Sequence, residues 1–158
     1  MMKRKILYFV MAIAICITGI MNWNVEANAE EQCEDVDIST LMTEDALIGY
    51  LDNQTWGVYL ANGYSIINKI SSTKVGAGGT TNASVKCTVK ITSILERKNS
   101  SGNWERITSW SQTNQSSFYA GISKSVTVAS GYYYRVRSYH YAGSDSATSY
   151  TSALWVGN

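Results

Sequence analysis

The run Val126-Thr-Val-Ala-Ser-Gly-Tyr-Tyr-Tyr-Arg-Val-Arg-Ser-Tyr-His-Tyr141 constrains the fold more than any other part of the chain. Ser125 to Val128 alternates polar and apolar residues at period two, as a half-buried strand does, and Ser130-Gly131 then interrupts it. A second strand opens at Tyr132, so the stretch reads as strand, turn, strand. It also holds the densest cluster of aromatic and cationic side chains in the sequence.

We read this stretch as the corner of a β-sandwich. Tyr134 follows Val128 by six residues and precedes Val136 on the same face. That spacing resembles the tyrosine corner of immunoglobulin-like sandwiches, in which a Tyr hydroxyl bonds back to the backbone beside the strand corner. The chain contains no proline, so its turns fall to Gly, Asn, Asp and Ser. Short segments punctuated by those residues recur from Gly57 to the C-terminus, the spacing of an all-β protein. The expectation is an all-β fold, a single antiparallel β-sandwich with an immunoglobulin-like topology admitted, preceded by an acidic N-terminal arm.

The clearest alternation places Val85, Cys87, Val89, Ile91 and Leu95 on one face and Lys86, Thr88, Lys90, Thr92 and Glu96 on the other, the odd set facing the core. After the polar connection Asn99-Ser-Ser-Gly-Asn103, the segment Trp104 to Trp110 returns. One register sets Glu96 opposite Arg106, Arg97 opposite Glu105, Leu95 opposite Ile107 and Lys98 opposite Trp104. Its two opposite-charge pairs are worth about 0.2–1 kcal/mol each. This register puts Trp104, Arg106 and Trp110 on the outer face.

Elsewhere the signals are weaker. Ile38 to Leu51 approaches helical spacing, but Asp45 and Gly49 spoil the face, so at most a short helix is expected. Trp56 to Ala61 and Tyr64 to Ile70 read as strands joined by an Asn62-Gly63 turn. Val75-Gly-Ala-Gly-Gly79 lacks the Lys-Ser/Thr ending and helix of a phosphate-cradling loop and reads as a flexible loop.

At the N-terminus, Met1-Met-Lys-Arg-Lys5 is a basic segment, Ile6 to Met21 an uncharged apolar run, and Ala27-Asn28-Ala29 a small-x-small site. This is the pattern of a secretory signal peptide cleaved after Ala29. The apolar run is shorter than the roughly 20 residues that span a bilayer, so no stable membrane anchor is expected. Residues 1–29 are therefore assigned to the signal peptide, 30–52 to the acidic arm and 53–158 to the β-sandwich domain. Residues 30–52 carry eight acids and no base, whereas residues 53–158 carry ten bases and three acids. Two accounts of this asymmetry stand: an acidic leader ahead of lysine-blunted sheet edges, or a basic body that attaches to anionic wall polymers, to headgroups or to its own arm.

Applied after the corner, the same alternation points Tyr134, Val136 and His140 inward and Tyr133, Arg135, Arg137, Tyr139 and Tyr141 outward. If these strands share a sheet with Trp104, Arg106 and Trp110, an aromatic–arginine face results. Such a face stacks sugar rings on Trp and Tyr while Arg holds carboxylates or phosphates in bidentate fashion. The competing account covers these aromatics with the arm, a loop or a partner, because large exposed apolar patches are uncommon on monomers. The arm's acids and its apolar Leu41, Met42, Leu47, Ile48 and Leu51 match that face in kind and are expected to lie on it.

The segment from Lys69 to Tyr141 carries Gly79-Thr-Thr81, Leu95-Glu-Arg97, Gly102-Asn-Trp104, Ser109-Trp110 and Gly131-Tyr-Tyr-Tyr-Arg-Val-Arg137. In these residues it resembles a family of small secreted Gram-positive bacterial proteins of unknown function. The resemblance implies export and a β-rich domain and brings no chemistry with it.

Export permits a Cys33–Cys87 disulfide, which would stabilise by roughly 4 kcal/mol on the chain-entropy model; a buried Cys87 with an exposed Cys33 thiol is the other reading. Two cysteines and one histidine do not make up the three or four ligands of a metal site, and no cofactor is expected. For catalysis, His140 and Asp145 offer a weak triad fragment with no Gly-x-Ser-x-Gly setting. Glu96 and Glu105 would each face an arginine, which keeps both ionised and suits neither to general-acid work. The leading reading is a secreted, non-catalytic protein, extracellular or associated with the cell wall. Its face binds a wall glycan, an anionic polymer or a protein partner, and no nucleic acid. The alternative is a membrane-active factor or a small extracellular hydrolase.

Overall fold

The computed structural model describes residues 33–51 and 57–158. The proposed signal peptide with its cleavage site at Ala29, and positions such as Asp52 and Trp56, lie outside the described residues. The elements are β1 (Cys33–Asp35), α1 (Ile38–Leu41), β2 (Leu47–Tyr50), β3 (Leu60–Ser71), β4 (Lys74–Lys98), β5 (Trp104–Thr127), β6 (Tyr132–Ala142), β7 (Asp145–Tyr150) and β8 (Leu154–Val156). All eight strands belong to one open antiparallel sheet. Separately paired sheets were expected; here hydrogen bonding runs continuously from strand to strand.

The sheet is organised by the β4–β5 hairpin, whose strands are 25 and 24 residues long. Its turn is set by Asn99, whose Oδ1 accepts from the amides of Ser101 (3.1 Å) and Asn103 (2.9 Å), with Gly102 at a φ of 83°. Pairing is irregular between Asn82 and Val89, which divides the hairpin in two. Residues Lys74–Ala83 of β4 lie beside β3, and Val89–Arg97 lie beside β6. Strand β6 in turn pairs with β7 and β8. One isolated bridge, Leu51↔Ser149, then links the β2 end back to β7.

Two apolar clusters fill the interior. One contains Ile67, Val75, Ala77, Leu95, Val126, Tyr134, Val136 and Val156, and the other Ala83, Val89, Ile91, Ala120 and Ala142. On β4, Ser93 falls between Leu95 and Ile91, and on β6, Ser138 and His140 fall between Val136 and Ala142, so a buried polar belt separates the clusters. Within it His140 Nδ1 meets Thr81 Oγ1 and His140 Nε2 meets Ser149 Oγ, both at 2.8 Å. Hydroxyl contacts continue from Ser149 to Ser65 (2.6 Å), Ser138 (2.8 Å) and Ser93 (3.1 Å). Each member has a hydrogen-bond partner, which makes burial of the belt tolerable.

The corner forms as its spacing indicated: Tyr134 is buried and its hydroxyl donates to the Ala129 carbonyl at 2.8 Å, beside Gly131 at a φ of 84°. Three other expectations need correction. Val75–Gly79 is no loop; all five residues are buried at the start of β4. A Cβ on Gly76 would stand 2.2 Å from Leu41 Cδ2, and one on Gly78 2.3 Å from the Ile122 carbonyl oxygen, so these glycines serve close approach. Asn62-Gly63 is no turn, since β3 runs through it and absorbs the irregularity as a register shift between Leu60 and Asn62.

The third correction concerns the arm. Instead of lying across the aromatic face, it supplies two edge strands and a covering turn of helix, with the β2 end reaching β7. Strand β1 pairs with Lys124–Val126, and β2 pairs with Tyr64–Ile67. Helix α1, capped by Asp37, whose Oδ1 accepts from the Ser39 amide at 2.8 Å, buries Leu41 against β4. The arm's acids find the body's lysines here, Glu34 with Lys74 at 3.2 Å and Asp35 with Lys124 at 2.5 Å. The arm therefore docks on the basic body as charge suggested, but on the β3–β5 half.

Cys33 and Cys87 do not form a disulfide. Cys33 lies opposite Val126, which pairs with Val75, and Cys87 lies twelve residues further along β4. That contour is roughly 40 Å at 3.3 Å per residue, against the roughly 7 Å between Cα atoms that a bridge tolerates.

Candidate functional site

Near the hairpin turn the expected register holds for three pairs: Glu96↔Arg106, Arg97↔Glu105 and Lys98↔Trp104. Leu95, however, lies opposite Thr108, not Ile107, because a bulge inserts one extra β5 residue between these pairs. The slip inverts the faces of everything beyond it. Trp110 consequently pairs with buried Ser93 and packs against the core, so it drops out of the outer face.

The other seven predicted residues share that face. Trp104 and Arg106 come from β5, and Tyr133, Arg135, Arg137, Tyr139 and Tyr141 from β6, with β4 between them. Glu96 is the hub. In register with both Arg106 and Arg135, Glu96 is only 3% exposed; its carboxylate accepts from Arg135 Nε at 2.7 Å and forms an ion pair with Arg137 Nη2, also at 2.7 Å. The Glu96–Arg106 ion pair suggested by the register is not made; Arg106 donates to Ser109 Oγ instead. Strand β4 has neighbours on both sides here, and β6 brings two guanidiniums to the β5 strand's one. The second expected pair does form, Arg97 Nε to Glu105 Oε1 at 2.8 Å, and this bond holds the Arg97 pKa above its ordinary value.

Around this hub the cations and rings alternate. The Arg135 guanidinium lies 4.3 Å from the Trp104 ring centroid and 5.1 Å from that of Tyr150. Arg137 sits over Tyr139 at 5.3 Å and Lys90 over Tyr141 at 5.9 Å. Tyr133 packs against Trp155 with centroids 5.0 Å apart and planes tilted by 58°. Glu96 thus holds Arg135 by a charge-assisted hydrogen bond and Arg137 by an ion pair while their guanidiniums lie over aromatic rings. With Lys90, Lys98 and Arg106 the face carries five cations against one carboxylate.

Tyr150 and Trp155 belong to this face and were missed from the sequence. They enter because β7 pairs with β6 (Arg137↔Tyr150) and β8 with its start (Tyr133↔Trp155). The first was legible in principle: Gly143-Ser144 is a two-residue hairpin connection, and counting outward from Ala142↔Asp145 sets Tyr150 opposite Arg137. Where the face meets the turns it ends in a cleft of about 260 Å³ lined by Lys98, Asn99, Ser100, Gly131 and the rings of Tyr132, Tyr133 and Trp155.

The fragments weighed for catalysis stand apart. His140 is fully buried in the polar belt, and burial pushes its pKa down to about 4, a backbone contact from Thr80 acting the other way. Asp145 instead accepts the amides of Tyr59 (2.7 Å) and Leu60 (3.0 Å), which hold its carboxyl below the usual range. Glu96 and Glu105 are engaged by different arginines. Comparison with protein-family models, with curated proteins and with solved structures returns no match to this chain.

Proposed function

We propose that this chain is an exported, non-catalytic binding protein that holds an anionic glycan or wall polymer on the outer face of β5, β4, β6 and β7. The observation that carries the reading is the buried Glu96 carboxylate holding Arg135 between the Trp104 and Tyr150 rings and Arg137 over Tyr139. A guanidinium held this way loses little further freedom on meeting an anion, so less of the binding energy is offset by ordering. Outward positions recur about every 4.8 Å from strand to strand and about every 6.7 Å along one, so rings and cations share a grid on which an extended chain of sugars can lie. The N-terminal export pattern supports a location outside the cell or on its wall, where such polymers are met.

The test is retention on immobilised heparin, an anionic-glycan probe, across rising salt. The purified protein should bind at low salt and elute as screening shortens the reach of its charges. Arg106→Glu, which reverses an exposed charge bonded to Ser109, should shift elution to clearly lower salt without loss of folding. Equal retention of the variant and the parent protein would remove this face from the binding surface.

A further inference from the structure

The cleft at the turn end of the outer face has a composition different from the rest of it. The grid itself is flat and dominated by guanidinium and ammonium groups stacked on rings. The cleft is concave, and two of its rings, Tyr133 and Trp155, are 46% and 44% exposed despite their mutual contact. They tilt at 58° to one another, so together they form a V that meets a ligand from two sides. Lys98, an amide (Asn99) and a hydroxyl (Ser100) line the same cleft. Asn99 is held in place: its Oδ1 is used by the Ser101 and Asn103 amides, which leaves its NH₂ as the outward group. The Tyr132 ring is braced from behind by Arg97, 4.6 Å from its centroid.

We infer that this cleft is a subsite for one pyranose ring bearing a carboxylate, the uronic-acid unit of an acidic glycan. The assignment rests on the binding face proposed above and names the sugar chemistry it selects. Aromatic walls match the C–H face of a pyranose, while the amide and hydroxyl match its ring hydroxyls. A volume of about 260 Å³ lies just under the usual range for drug-sized ligands and fits one ring of an extended chain. Lys98 supplies a cation in a site where no acid lines the wall. It lies in register with Trp104, so a glycan seated in the cleft continues directly onto the Trp104–Arg135–Tyr150 stack.

Two probes separate the subsite from the face. A hexasaccharide of alternating glucuronate and N-acetylglucosamine offers the sugar ring and the carboxylate, and polyphosphate offers charge with no ring. Calorimetry should show both binding to the purified protein. Trp155→Ala should weaken the hexasaccharide roughly tenfold or more and polyphosphate far less, because Trp155 stacks on Tyr133 and on none of the face's cations, and Lys98→Gln should weaken the hexasaccharide about threefold to tenfold. The hexasaccharide should also perturb tryptophan fluorescence, and that response should shrink in Trp155→Ala. Polyphosphate binding without hexasaccharide binding, or a hexasaccharide affinity unmoved by both substitutions, would overturn the subsite and keep the face. Failure of both probes to bind would reject both. Should Trp155→Ala lose its native circular dichroism, Lys98→Gln decides alone, since an exposed lysine head group at a strand end can be neutralised without disturbing the core.

Discussion

His140 gives the sharpest prediction, because the chain has a single histidine and it is fully buried. Its pKa falls from 6.5 in the unfolded chain to about 4 in the fold, chiefly through burial. Above pH 6.5 both states hold a neutral imidazole and stability is full. Between about 6.5 and about 4 the unfolded chain takes up a proton that the folded chain refuses, so stability falls with pH; below about 4 both are protonated and the loss is complete. A fall from 6.5 to about 4 corresponds to roughly 3 kcal/mol. Urea unfolding at a series of pH values should show this loss, and His140→Gln should not show it. The difference between the two proteins cancels every carboxylate that titrates in the same window. Proton NMR of the one imidazole should give a midpoint near 4 in the folded protein. A midpoint near 6.5, or an acid loss in His140→Gln as steep as in the parent, would refute a neutral histidine held by Thr81 and Ser149.

Glu96→Gln leaves Arg135 and Arg137 facing an uncharged amide, and it should cost about 3 kcal/mol in chemical denaturation, the low end for breaking a buried pair, because both arginines reach solvent. Trp110→Ala should cost about 3 kcal/mol and Trp104→Ala below about 1 kcal/mol, since the bulge turns the first against the core and leaves the second stacked under Arg135 on the outer face; equal costs would contradict the observed register. Gly78→Val should prevent native folding, judged by loss of the cooperative unfolding transition, because its Cβ would stand 2.3 Å from a backbone oxygen. For the export reading, intact-mass measurement of the protein from culture supernatant should give a chain beginning at Glu30; full-length chain found only in membranes would refute cleavage.

What the sequence determined by itself is whatever depends on neighbours along the chain. Period-two alternation and the absence of proline sufficed for an all-β antiparallel fold. The Ser130-Gly131 break and the Val128–Tyr134 spacing sufficed for the corner, and charge matching across a short turn sufficed for the pairs at Glu96, Arg97 and Lys98. The outward set on β6 follows from the same alternation. Only the tertiary structure decided matters set by a third strand. Gly76 and Gly78 read locally as part of a loop, yet they lie in a strand where Leu41 and the β5 backbone approach too closely for a side chain. Trp110 changed faces through one inserted residue, and a bulge leaves no mark in a sequence whose alternation continues on both sides of it. Glu96 chose Arg135 and Arg137 over Arg106 because β6 closes on the far side of β4, a pairing across 39 residues that no local pattern encodes. The arm's acids specified a basic partner but not which one. Coulomb attraction has a sign and no address, and the free edges of β3 and β5 supplied the address through backbone hydrogen bonds.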